Sequence, residues 1–147
     1  MNRILVGLDG SQREKAVLDA AAGLARRTGA KLVLFRSVGL PSEHDLPADA
    51  YAMAPNDVKK LLEQRAKTGL EQLAGGLAPG LVGGVRVTVG VPWQSIERAA
   101  QEENCDLIVI GSHGYDTFDK LIGTTAAKVV NHATISVLVV RAPEKLA

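Results

Sequence analysis

Aromatic residues are scarce in this chain: two Phe, two Tyr and one Trp make up 3% of 147 residues. Any core must therefore be aliphatic. Cysteine is rarer still, since Cys105 stands alone; an intrachain disulfide and a cysteine zinc cluster are both excluded, and a reducing compartment is the natural setting. Net charge is nearly nil, with 17 basic against 16 acidic residues for a formal +1. No global field draws the protein to nucleic acid or to an anionic membrane, and Arg26-Arg27 and Lys59-Lys60 read as ordinary helix-surface pairs. Met1-Asn2-Arg3 runs directly into a strand, with no secretory core and no apolar run of spanning length, so the expectation is a cytoplasmic protein without a membrane partner.

The usual enzyme signatures are also missing. There is no G-x-x-x-x-G-K-[ST] string, no G-x-G-x-x-G after the first strand, no nucleophile elbow, no paired-cysteine redox motif and no H-E-x-x-H. His44, His113 and His132 lack metal-ligand spacing. No catalytic residue and no protein metal site is assigned on this basis.

Hydrophobic residues make up 46% of the chain, largely Val, Leu, Ile and Ala, a balance that suits a parallel sheet covered by Ala-rich helices. Residues 1–147 fit one domain large enough for a single core. Ile4-Leu5-Val6-Gly7-Leu8 reads as a buried first strand. Ser11-Gln12-Arg13-Glu14 matches the S-x-x-E capping box, and Ala16, Val17, Ala20, Ala21, Leu24 and Ala25 recur at helical spacing until Gly29. Lys31 to Val38 is a second strand. Residues 39 to 57, with Pro41, Pro47 and Pro55, read as a long surface loop before a helix marked by Val58, Leu61, Leu62, Leu70 and Leu73. Val82 to Val89 alternates apolar with polar residues and predicts a third strand toward a sheet edge. Pro92 opens a third helix, residues 106 to 111 form a fourth strand, residues 124 to 132 a fourth helix, and Ser136 to Arg141 the last strand. Right-handed crossovers turn this β-α-β-loop-α-β-α-β-α-β order into an open α/β sheet with helices on both faces.

Two clusters carry the functional signal. Leu107-Ile108-Val109-Ile110 leads into Gly111-Ser112-His113-Gly114, and a short loop later comes Gly123-Thr124-Thr125 at a helix start. Glycines let backbone N–H groups approach a phosphate, and a helix N-terminus adds positive potential. Asp9-Gly10-Ser11 also follows a strand. If strands one and four are neighbours, both segments face one crevice beyond the carboxyl ends of the sheet.

The residues that resemble a known family are Ile4 to Ser11, the Gly90-Val91-Pro92 turn, Cys105 to Gly114 and the ending Ser136 to Arg141. They resemble the universal stress protein family over nearly the whole chain. The resemblance implies a Rossmann-like, adenine nucleotide alpha hydrolase-like fold, with a five-stranded parallel sheet in the order 3-2-1-4-5. It also implies a homodimer built along the last strand, residues 136–141, and a regulatory stress-response role. ATP-binding members carry G-2x-G-9x-G-(S/T); here Gly111, Gly114, Gly123 and Thr124 match it, with eight residues, Tyr115 to Ile122, between the second and third glycines. The loop is one residue short of that pattern.

Carried over by residue, the resemblance places Asp9, with Gly10 and Ser11, at the adenosine part of ATP or another adenine nucleotide. It places Ser37 and Val38 beside the adenine, where the family usually has an apolar residue at the position of Ser37. Ile110, Gly111, Ser112, His113 and Gly114 line the ribose and phosphates, and Gly123, Thr124 and Thr125 hold phosphate oxygens. Mg or Mn would arrive with the phosphates.

Structural readings stand beside these. Asp9 can be a turn residue, Ser11 a helix cap, and Gly123-Thr124-Thr125 an N-cap. Three functions remain open: a nucleotide-binding regulator whose occupancy is read by an unknown downstream protein, a weak ATPase, and a nucleotide-free dimeric interaction module. A charge at Val137 or Val139 is expected to break the dimer.

Overall fold

Aliphatic runs become strands wherever they can be covered on both sides, and Ala-rich amphipathic stretches supply the covers. The computed structural model describes residues 1–39, 46–112 and 122–141. In chain order it contains β1 (Arg3–Gly7), α1 (Glu14–Thr28), β2 (Lys31–Val38), α2 (Pro55–Gly75), β3 (Val82–Val89), α3 (Pro92–Glu102), β4 (Leu107–Gly111), α4 (Thr124–His132) and β5 (Ser136–Val140). The strands form one parallel sheet in the order β3-β2-β1-β4-β5. β1 lies at its centre, with Ile4 beside both Leu32 and Leu107.

Alternation along the strands divides the core between two layers. Ile4 and Val6 of β1, Leu32 and Leu34 of β2 and Val109 of β4 pack with Val17, Leu18, Ala21, Ala22 and Ala25 of α1 and Leu70 of α2. Leu5, Val33, Phe35, Ile108 and Ile110 point the other way, onto Ile96, Ala99 and Ala100 of α3 and Ala126 and Val129 of α4. Each fully buried aliphatic side chain contributes roughly 1.5–3 kcal/mol. These two layers, rather than helix propensity, hold the helices in place. β3 takes the edge position that its alternating pattern predicts; the other edge is β5.

Charged residues seal the amino end of the sheet. Asp106 accepts the Asn2 N–H at 2.7 Å and the Arg3 N–H at 3.0 Å. Those backbone bonds, Asn2's first, hold its carboxyl below the usual carboxylate range. Arg3 pairs with Glu103 at 2.8 Å, and Arg86 of β3 reaches Glu102 and Glu103, so the end of α3 is tied to two strands. Cys105 is buried beneath this network, and burial pushes its thiol up.

Four expectations are corrected. The capping box does not form. The first helix begins at Glu14 with no side-chain cap, because Ser11 Oγ accepts the Arg13 N–H at 3.3 Å and the Glu14 carboxylate turns away to Arg36. The buried stripe of α1 is also turned, with Leu18 and Ala22 inside and Ala16 and Ala20 only half-buried. The long connection is shorter than expected: Ala48–Ala50 form a 3₁₀ turn, and α2 starts at Pro55, whose missing N–H costs nothing in a first helical turn. Finally, α3 stops at Glu102 and β4 starts at Leu107, the chain reversing through Asn104 at φ 52°.

Candidate functional site

At the centre of the sheet the connections leave in opposite senses, β2 to one side of β1 and β4 to the other, so a gap opens beyond their carboxyl ends. The gap is a crevice of about 350 Å³. Gly7 lies on its floor, where a Cβ would come 2.9 Å from Ile110 Cγ2 and 3.7 Å from Ile96 Cδ1.

One wall is the turn after β1. Gly10 adopts φ 78°, and the turn brings the Ser11 N–H within 2.9 Å of Asp9 Oδ1, where it donates. Asp9 therefore closes a turn and lines the crevice as well. Opposite, β4 ends at Gly111, and the Ser112 N–H donates to Val140 O at 2.9 Å. The Gly123 N–H donates to Ser112 O at 2.6 Å, which sets the start of α4 directly against the end of β4. Gly123 offers α4 no side-chain cap. First-turn amides have no partner within their own helix, and the exposed Thr124 and Thr125 add hydroxyls. This end of the crevice is suited to anionic oxygens.

Of the residues expected from sequence, Asp9, Ser11, Ser37, Ile110, Gly111, Ser112, Gly123, Thr124 and Thr125 line the crevice together. Gly10 and Val38 do not line it; Gly10 shapes the turn, and Val38 O accepts the Gly90 N–H at 3.1 Å. His113 and Gly114 lie outside the described residues, as does most of the loop whose length departs from the ATP-binding pattern.

The crevice also contains residues that the sequence reading passed over. Arg13, 6% exposed, is the one cation lining it among the described residues. Glu14 lines it too, paired with Arg36 at 2.5 Å, and Arg36 Nε donates to Leu8 O at 3.1 Å. Pro92 and Ile96 of α3 add an aliphatic part to its lining. The available signal was Arg36 itself: a cation on the same strand face as Leu32 and Leu34 requires a buried partner.

Away from the crevice, Trp93 stacks on His132 with ring centroids 4.5 Å apart, joining α3 to α4. His132 Nδ1 lies 2.8 Å from Lys128 O. Among the described residues no group of His, Cys, Asp and Glu could hold a metal ion, and no helix is long and apolar enough to cross a membrane.

Fold and crevice together define an open, doubly wound α/β protein with its candidate site at the topological switch point. The family model described as the Universal stress protein family matches residues 1–141. The chain belongs to that family. It is similar to Universal stress protein A homolog 1 of Coxiella burnetii, 29% identical over 144 residues that cover 93% of this chain and 94% of the relative. Among solved structures it is similar to universal stress protein UspA from Lactobacillus plantarum, with TM-score 0.73 and 25% identity over 95% of this chain and 97% of that one. A universal stress protein solved in complex with cAMP superposes with TM-score 0.61 and 28% identity, covering 95% of this chain and 96% of that one.

Proposed function

We propose that this chain is a cytoplasmic regulatory protein, a single universal stress protein domain that binds an adenine nucleotide, with ATP the leading candidate. One observation carries the reading. The turn holding Asp9, the end of β4 at Gly111-Ser112 and the uncapped start of α4 at Gly123-Thr124-Thr125 converge on one crevice. Its amide-rich end suits phosphates and its aliphatic wall suits a base. The cAMP complex of a relative supports the same ligand class. Arg13 adds a cation to the lining of the same crevice. Mg or Mn would be carried by the phosphates rather than by a protein cluster. Regulation requires the bound and free forms to differ in affinity for a downstream partner.

Calorimetric titration of the full chain with ATP, ADP and AMP tests this reading, together with chromatography of any nucleotide released on denaturation. Saturable binding is expected. No heat at millimolar ligand and no released nucleotide would sink it and favour a nucleotide-free interaction module; product formation over hours would favour a weak ATPase.

We also propose a homodimer along β5, whose outer edge pairs with no other described strand. Val137 and Val139 pack inward against the α3–α4 layer, so a charge there strikes the core as well as the edge. Leu138 is the cleaner probe, being 40% exposed. Leu138→Glu is expected to halve the mass seen by light scattering while leaving the circular dichroism spectrum unchanged; an intact dimer would count against this interface.

A further inference from the structure

We infer that Arg13 makes the crevice select ligands that end in a phosphate dianion, a linear nucleotide rather than a cyclic one; this rests on the nucleotide reading above. Among the described residues, the charged side chains lining the crevice are Asp9, Arg13 and Glu14. Glu14 is neutralised by Arg36 at 2.5 Å. Asp9 is exposed, so water and salt screen its carboxylate. Arg13 is 6% exposed, and a guanidinium keeps its proton at any working pH. It is the least screened charge that an entering ligand meets.

The backbone sets the face on which this cation stands. Arg13 has helical angles, φ −87° and ψ −9°, and its carbonyl accepts the Val17 N–H at 3.4 Å, so it extends the α1 spiral back by one turn. Its own N–H donates to Ser11 Oγ at 3.3 Å, which ties that turn to the segment after β1. Residues four apart share a helix face. Val17 packs into the layer beneath α1 and lines the crevice; Arg13, on the same face, lines it too.

A nearly buried cation loses hydration when a ligand displaces the water before it, and an anion offsets that loss. A terminal phosphate monoester carries about two negative charges near neutral pH on three acceptor oxygens, a match for the planar guanidinium fork. A cyclic phosphodiester keeps a single charge and offers fewer free oxygens. A relative is solved with cAMP; in this chain Arg13 favours the ring-opened ligand.

ATP, AMP and cAMP are titrated calorimetrically into the full wild-type chain, Arg13→Gln and Arg13→Met. The wild type is expected to bind AMP about tenfold more tightly than cAMP, the lower range for one charge-assisted hydrogen bond, and ATP at least as tightly as AMP. In both variants the preference for AMP over cAMP should shrink to within about threefold. Arg13→Met fills the same space without a buried polar group and guards against a folding artefact in the glutamine variant. The ratio is the readout because a merely structural role would weaken both ligands together and leave it unchanged. A wild type that binds cAMP as tightly as AMP, or an undiminished preference in either folded variant, would overturn the role of Arg13 while leaving the nucleotide reading intact. Failure of the wild type to bind any of the three would overturn both.

Discussion

Arg36→Ala is expected to lower the unfolding free energy by about 3 kcal/mol, near the low end of the penalty for stranding one member of a buried ion pair. Arg36 is mostly buried between β2 and α1. It donates from one nitrogen to the Glu14 carboxylate at 2.5 Å and from Nε to Leu8 O at 3.1 Å. Removing it leaves the Glu14 charge and the Leu8 carbonyl without that partner, both on the crevice wall. Arg36→Lys should recover only part of the loss, because a lysine ammonium cannot reproduce the two-direction fork. Glu14→Ala should cost less than Arg36→Ala, since Arg36 keeps its bond to Leu8. The double variant should cost less than the sum of the two, with a coupling of about 1–2 kcal/mol. Urea unfolding of the wild type and the four variants measures all of this, and an Arg36→Ala midpoint equal to wild type would show that the pair is solvated.

Gly7→Val is expected to act on both stability and ligand. At the end of β1 a Cβ would approach Ile110 Cγ2 to 2.9 Å. Ile110 is itself buried, and its branch methyl cannot swing aside as the end of a long side chain can. Overpacking of this kind costs about 1–3 kcal/mol. The added methyls also rise from the floor of the crevice, so nucleotide affinity should fall by more than about tenfold. Gly7→Ala should show a smaller form of both effects. A stably folded Gly7→Val that binds ATP as the wild type does would place the ligand elsewhere.

Both predictions concern residues to which the sequence reading gave no role in the site, and the reason is physical. Gly7 appeared as one small residue in a buried strand; its importance arises from the Ile110 side chain that β4 sets against it. Glu14 fits a capping box by spacing, yet the carboxylate has a stronger option in a guanidinium supplied by β2. Local spacing describes what a side chain could reach within its own turn. It does not describe a competitor brought in from another strand. The glycine–threonine clusters were legible for the opposite reason, since a helix start without a capping side chain and glycines after a strand are features of the local chain. Val38 was assigned with Ser37 as neighbours in sequence, but alternate residues of a strand face opposite sides, and only Ser37 lines the crevice.

What the amino-acid order determined by itself was the set of elements and their sequence along the chain. Aliphatic runs, helical spacing, Pro92 and the Gly29 stop are read within a few residues, and the observed strands and α4 fall where those signals put them. The resemblance carried by Ile4 to Ser11 and Cys105 to Gly114 determined the family. The tertiary structure alone decided which side chains share the crevice, that Arg36 claims Glu14, that Arg13 stands among the lining residues, and that the Ser37 proton is held by Gly90. These contacts join segments distant in sequence, through a sheet in which β1 lies between β2 and β4. Periodicity reports the face a residue presents; only packing decides what meets it there.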